Sequence, residues 1–344
     1  DGDPALSLIQ AALNAGKPVI TANKALLAHH GVALASLAEK NNTPLRYEAA
    51  VAGGIPIIKM VREGFAANTI LAIAGILNGT CNYILTTMDR TGQGFDTVLP
   101  EAQALGYAEA DPTLDVDGGD TGHKLCLLTA LAFRCVPDYT HLSVQGIRNV
   151  SIADIHVARG WGYRIKLVAQ ARRLPDGRIL QMVAPTLVAE NLPLAQVDGV
   201  LNAVTMDADP VGRSCVSGRG AGAGPTASAV VADILDVIAG RNVLPFSQPV
   251  ADLSVAPKAG LSDWEGNFYL RIHGTDPAEI RGHVTSLLQN AGISIEKISA
   301  QTTPTHETMM MTSVTTGGAM MEVVQKITTL SCVYDTPMLM PILT

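Results

Sequence analysis

The fold is read most directly from KPVITANKALLAHHGVALASLAEKNNTPLRYE, residues 17–48. Pro18-Val19-Ile20-Thr21 is a short apolar run entering a loop, and Pro44 to Tyr47 is a second, ending at Glu48. Ala25 to Lys40 between them predicts a helix. Upstream, Leu6, Ile9, Ala12 and Leu13 fall at helical spacing, and Gly16 stops that helix. Residues 1–55 therefore read α-β-α-β, the order of a parallel, doubly wound α/β sheet. An αβ pair at a chain end cannot bury its own faces. The chain also opens at Asp1 without an initiator Met or a signal-peptide pattern. An upstream part of the same domain is therefore expected.

Downstream, Ala52-Gly53-Gly54-Ile55-Pro56 is a tight loop, followed by a helix to about Gly64. Thr69–Leu77 reads as a buried strand. Asn78-Gly79-Thr80 is a turn opening a helix from Cys81 to Arg90, and another helix runs from about Asp96 to Leu105. Asp120–Phe133 is a long apolar helix. Tyr163–Arg173, the turn Pro175-Asp176-Gly177 and Arg178–Val188 make a hairpin. A Gly-rich loop, 218–224, precedes a helix with Pro225 in its first turn. Residues 241–262 read as a linker. Asn267–Thr344 reads β-α-β-β-α-β, a ferredoxin-like order.

Composition narrows the function. Of 344 residues, 47% are apolar and 16% charged, which is globular. Aromatics are only 4%, so aliphatic side chains must fill the core. The net charge is −7 with no Lys/Arg-rich run, so no nucleic-acid footprint is present. No apolar run reaches the length of a membrane span. The five cysteines are scattered with no CxxC, which points away from disulfides and structural zinc and toward a reducing cytoplasm.

The densest chemistry lies in Gly106–Lys124. Five carboxylates (Glu109, Asp111, Asp115, Asp117 and Asp120) fall within twelve residues. A calcium loop aligned on Gly118 would start at Thr113 and end at Lys124, and a cation at the last position defeats it. A solvated acidic loop capping a helix is the plain reading, with Asp120 suiting the helix dipole and pairing with Lys124 one turn on. Against it, Lys124 sits among Leu125, Leu127, Leu128 and Leu131. A lysine beside an acid in a closed pocket suits general acid–base work, and Glu109 and Asp115 would suit a substrate ammonium. Thr21-Ala22-Asn23-Lys24 lies at a strand's carboxyl end, where such sheets bind ligands, or is an ordinary capped turn. Gly53-Gly54 permits a close backbone approach, or is simply a tight turn. The Gly-rich loop lacks Gly-Lys-Ser/Thr and G-x-G-x-x-G, so it is a weak nucleotide signal. His29-His30 read as surface or capping residues, and Met309–Met311 as core.

At these residues the sequence resembles the homoserine dehydrogenases. Their signature is met by Ala102, Gly106, Tyr107, Ala108, Asp111, Pro112, Asp115, Val116, Gly118, Asp120 and Lys124. VITANKALLA, EAAVAGGIPII, GILNGTCNYIL and GAGPTASAVVADI are similar to the same family. The resemblance implies hydride transfer between NAD or NADP and the C4 carbon of homoserine or aspartate 4-semialdehyde. It implies Lys124, Asp120 and Lys24 as catalytic residues. It implies Glu109, Asp115, Tyr107, Thr80 and Gly79 for substrate, and Thr21, Asn23, Lys24, Gly79, Gly222, Gly224 and Thr226 for cofactor. Glu48, Val51, Gly53 and Ile55 match a monovalent-cation (Na+ or K+) site built largely from backbone oxygens.

The implied architecture is mixed α/β and α+β. A partial Rossmann-type sheet spans residues 1–55, its first βαβ unit lying upstream with the dinucleotide fingerprint, and the helix near 221–240 rejoins it. Residues 56–220 form a catalytic and dimerisation domain, and 263–344 resemble an ACT domain, with threonine as the expected effector. Thr275-Asp276-Pro277-Ala278 departs there from the usual Asp-x-Pro-Gly turn. A cytoplasmic homodimer or homotetramer is implied. The rival expectation is a non-catalytic amino-acid-binding protein whose ACT-like end does the sensing.

Overall fold

The computed structural model describes residues 2–301 and 306–344. Its first layer follows the expected order. Helix Ala5–Asn14, strand Val19–Ile20, helix Lys24–Lys40 and strand Leu45–Arg46 alternate, and the two strands pair in parallel. Asn23 starts the second helix by accepting the Leu26 N–H at 3.1 Å. Leu13, Leu26, Leu34 and Leu45 pack between these elements as a small separate core. Helix Ala223–Ile238 joins this layer through the 48–50 turn. It buries Ala229, Asp233 and Asp236 there and leaves Val231, Ile234, Leu235 and Ile238 exposed.

Strand Thr69–Ile76 then enters a large sheet. It lies between Tyr163–Arg173 and Leu201–Asp209 and is antiparallel to both. The expected hairpin is present, with Tyr163–Arg173 in unbroken register against Ile179–Ala189. The sequence reading missed the hairpin Leu201–Asp209 with Gly212–Arg219 and the helix Ile152–Gly160. Thr69–Ile76 alternates exposed and buried residues rather than being buried throughout. Helix Gly119–Phe133 packs against Tyr163–Arg173 and Ile179–Ala189, and Gly79–Thr91 packs against Tyr163–Arg173 and Leu201–Asp209. Thirteen of the fifteen residues in Gly119–Phe133 are buried. Truncating Leu127, which is 0% exposed, to Ala would cost about 2–5 kcal/mol.

The last part has the expected β-α-β-β-α-β order: Phe268–His273, Pro277–Asn290, Ile295–Gln301, Glu307–Thr312, Gly317–Thr328 and Met338–Leu343. Its strands run in spatial order last, first, third, second. Met309, Met310 and Met311 are core, as their strand position suggests. Ile342 and Leu343 pair in parallel with Leu187 and Val188, which continues the large sheet into this module. The segment expected as a linker is partly built in. Phe246 is buried, Tyr47 donates to the Pro245 carbonyl at 2.6 Å, and Lys258-Ala259 pairs with Ile179-Leu180. All five cysteines are free, and no helix among the described residues is long and apolar enough to cross a membrane.

Candidate active site

Strand Thr69–Ile76 ends at a turn that opens helix Gly79–Thr91. Asn78 caps that helix, its Oδ1 accepting the Cys81 N–H at 2.8 Å. Gly79 is required by a close approach, since a Cβ there would lie 2.9 Å from the Val200 carbonyl oxygen. Across from this turn, Gly118 adopts a left-handed φ of +87° and starts helix Gly119–Phe133. A Cβ on Gly118 would also strike Val144 at 2.9 Å. The helix's first turn presents Asp120, and its next turn presents Lys124.

Five side chains meet here. Lys124 Nζ donates to Asp120 Oδ2 and to the Leu77 carbonyl, each at 2.7 Å. Lys24 Nζ, from the start of the Lys24–Lys40 helix, lies 3.1 Å from Asp120 Oδ1. Asn78 Nδ2 donates to Asp115 Oδ1 at 2.7 Å and to Asp120 Oδ2 at 2.9 Å. Burial works to push the Asp120 carboxyl up. Lys124 and Lys24, with hydrogen bonds from Lys124 and Asn78, outweigh it and hold the group at about 2. Asp115 has a bond from Asn78 but no lysine in ion-pair contact among the described residues, and burial pushes its carboxyl above the usual range.

The remaining expected substrate residues surround this centre unevenly. Thr80 Oγ1 donates to the Tyr107 carbonyl at 2.5 Å and lies 3.5 Å from Asp115 Oδ2. The Tyr107 ring is exposed and packs 4.8 Å from Tyr83. Glu109 is exposed and stands outside the hydrogen-bonded cluster, its carbonyl accepting from Gln103 at 3.0 Å. Part of the loop expected to be irregular is helical, Thr113–Val116, and this turn carries Asp115.

The two glycine motifs explain each other. Gly54 N–H donates to the Arg219 carbonyl at 2.9 Å, and a Cβ on Gly54 would lie 2.5 Å from that oxygen. A Cβ on Gly53 would meet the Gly220 carbonyl at 3.1 Å and Thr226 Oγ1 at 3.5 Å. Gly222, at a φ of +109°, and Gly224 sit at the start of helix Ala223–Ile238, which has no side-chain cap. Thr21 Oγ1 accepts the Asn23 N–H at 3.1 Å, so both side-chain oxygens of this strand-end turn serve the backbone.

Glu48, Val51 and Ile55 are buried beside this junction. The Glu48 carboxylate accepts the Ile58 and Lys59 N–H groups at 2.9 and 3.0 Å, and its own N–H donates to Asp233 at 2.8 Å. Burial drives this carboxyl up to about 7 against those two backbone bonds. Its carboxylate thus serves the next turn, and carbonyl oxygens are what the segment can offer a cation. Among the described residues, no three His, Cys, Asp or Glu side chains gather as a metal site.

Sequence reasoning missed Asn78, His123 and Tyr139. Asn78 was visible as the cap in Asn-Gly-Thr, but its second role needed the fold. His29 is exposed as expected, yet its ring packs edge-on against both His123 and Tyr139, centroids 5.5 and 5.2 Å away. His123 stacks on Tyr139 at 4.3 Å. No sequence signal marks that cluster, because its members come from separate elements.

Residues 56–235 match the family model described as homoserine dehydrogenase. A homoserine dehydrogenase of Neisseria gonorrhoeae is 45% identical over 293 residues, covering 83% of this chain and 67% of that protein. The crystal structure of a homoserine dehydrogenase from Thiobacillus denitrificans matches with a TM-score of 0.93 at 39% identity, covering 99% of this chain and 80% of the other. A hyperthermophilic archaeal homoserine dehydrogenase solved in complex with NADPH matches with a TM-score of 0.62 at 32% identity, over 70% of each chain. The rival expectation of a non-catalytic binding protein gains nothing from these likenesses. Sequence, fold and the acid–lysine cluster agree, and the chain belongs to the homoserine dehydrogenase family of oxidoreductases.

Proposed function

We propose that the Asp120 cluster is the catalytic centre where L-homoserine and L-aspartate 4-semialdehyde are interconverted with NAD or NADP. One observation carries this reading: two lysines grip opposite oxygens of one buried carboxylate. Two of the three N–H bonds of Lys124 go to Asp120 and Leu77, and the third is left for a substrate oxygen. The nicotinamide supplies a carrier that takes or gives the hydride at C4. In the reducing direction the Lys124 ammonium gives its proton to the C4 oxygen, so no free alkoxide forms. In the oxidising direction neutral Lys124 takes the hydroxyl proton. Asp120 orients Lys124 and balances its charge, and Lys24 adds a second cation on the carboxylate's other oxygen.

Asp115, with Glu109 at the exposed rim, would hold the substrate ammonium, and Tyr107, Thr80 and Gly79 would line its path. The residues present suit a dinucleotide. Helix Ala223–Ile238 starts without a side-chain cap behind a glycine turn, which favours an anionic pyrophosphate at Gly222, Gly224 and Thr226. Thr21, Asn23 and Lys24 would meet the nicotinamide end. The carbonyls of Glu48, Val51, Gly53 and Ile55 are the proposed ligands of a Na+ or K+ ion.

The β-α-β-β-α-β module, residues 263–344, is proposed to be an ACT-type domain with threonine as its ligand, although Ala278 stands where a glycine would be usual. A cytoplasmic homodimer or homotetramer completes the proposal. Homoserine-dependent reduction of NAD+ and of NADP+, followed by absorbance with protein from the complete reading frame, tests it. Folded protein that turns over neither cofactor would overturn it.

A further inference from the structure

We infer that Asn78 is a positioning residue of this site, a three-point clamp that holds Asp115 and Asp120 side by side. The inference rests on the catalytic roles proposed above for those two acids.

Asn78 is 5% exposed, and every polar atom of its side chain is spent. Oδ1 accepts the Cys81 N–H, which fixes which end of the amide is oxygen. The two Nδ2 hydrogens then have one target each, Asp115 Oδ1 and Asp120 Oδ2. The preceding carbonyl, Leu77, accepts from Lys124. One turn therefore sets the positions of both acids and of the lysine. Because the amide also starts helix Gly79–Thr91, the clamp is tied to a rigid element rather than a loose loop.

The clamp matters because the acids are not equally supported. Asp120 touches both lysines, whereas Asp115 touches neither. The charged groups acting on Asp115 are Asp120, which opposes its ionisation, and Lys124 and Lys24, which favour it. The Cys81 thiol, 3.2 Å from the Asp115 carbonyl, is pushed well up by burial and stays neutral. Thr80 is a weak contact at 3.5 Å. Asn78 is thus the one short donor to the Asp115 carboxylate among the described residues. A hydrogen bond to the ionised form favours that form, so Asn78 keeps Asp115 charged for the substrate ammonium.

Two variants test this, Asn78→Ser and Asn78→Asp, and both can still cap the helix. Serine removes both bridging bonds. Aspartate keeps the shape but turns an oxygen toward two carboxylates. For each, kcat/KM for homoserine is measured against pH, and thermal unfolding is followed in parallel. The expected result is an acid limb moved upward by about one pH unit in Asn78→Ser and further in Asn78→Asp. KM for homoserine should rise up to about tenfold on the acid side of that limb and recover as pH rises through it. A merely structural role would lower the melting temperature and leave the limb and KM where they were. Folded Asn78→Ser with the wild-type limb and KM overturns the inference, whether or not Asn78→Asp folds.

Discussion

Replacing Lys124 by Met removes the ammonium while keeping an unbranched apolar stem in a helix that is almost wholly buried. The catalytic effect follows from the one N–H that Lys124 has left after Asp120 and Leu77 are served. Loss of a positioned acid–base group lowers turnover by roughly 10²–10⁴. The fold should survive. Breaking a buried pair costs about 3–5 kcal/mol when the remaining charge is stranded. Here Asp120 keeps Lys24 at 3.1 Å and Asn78 at 2.9 Å, so about 1–3 kcal/mol is expected. The pH dependence has a defined sign. Asp120 is held at about 2, below its ordinary 3.8, so its stabilisation is present above that ordinary value and is lost as pH falls toward 2. With Lys124 gone, that acid-side loss should shrink and be complete at a higher pH, while its onset stays where the unfolded carboxyl sets it. Steady-state oxidation of homoserine gives the first number, and urea unfolding between pH 3 and about pH 7 gives the second. A folded variant with turnover within tenfold of wild type would refute the assignment of Lys124.

Three further outcomes are expected. Glu48 sits at about 7 against an ordinary 4.5, so its stabilising proton is present at low pH and is lost as pH rises through about 7. Relative to Glu48→Gln, wild type should therefore lose up to about 3 kcal/mol between pH 5 and about pH 8, and parallel stability curves would refute this. Gly54→Ala would press a methyl to 2.5 Å from the Arg219 oxygen and part the two loops. KM for the dinucleotide should rise while KM for homoserine holds, and the reverse pattern would discredit the proposed cofactor position. Asp154, fully buried, takes 2.7 Å bonds from Tyr269 and Arg271 and so joins helix Ile152–Gly160 to the last module. Asp154→Asn should cost about 3–5 kcal/mol in calorimetry, and an unchanged melt would show the joint to be idle.

Sequence legibility followed the length and purity of the local pattern. Helix Pro277–Asn290 and strand Phe268–His273 fall where their periodicity puts them, because each has one clean apolar face. The helix Ile152–Gly160 went unread although its Ser151–Asp154 capping box was present, since so short a helix offers few apolar repeats. The hairpin 201–219 was hidden differently. Gly212–Arg219 offers only Cys215 and Val216 as apolar residues, and five of its eight positions are exposed. Within the site, the pairing of Asp120 with Lys124 is a helical-spacing fact and is readable. The arrival of Lys24 on the other oxygen is not, because it depends on how helix Lys24–Lys40 packs on helix Gly119–Phe133.

That packing accounts for why one carboxylate has two lysines. A buried carboxylate with a single lysine is a neutral pair, and a lysine that gave up its proton would leave the carboxylate alone in a poorly solvated place. Lys24, with 31% of its side chain exposed against 11% for Lys124, keeps its contact with water. Asp120 would then keep a counter-charge at 3.1 Å whichever protonation state Lys124 is in. In the proposed mechanism the exposed lysine would serve as ballast and the buried one as the proton carrier. Removing Lys24 should therefore bind the proton on Lys124 more tightly, because the neutral form would lose its company. Lys24→Met should slow the direction that needs neutral Lys124, homoserine oxidation, at a given pH, and shift its basic-side activity to higher pH. A Lys24→Met variant whose oxidation profile lies on that of wild type would show that the second lysine has no such part.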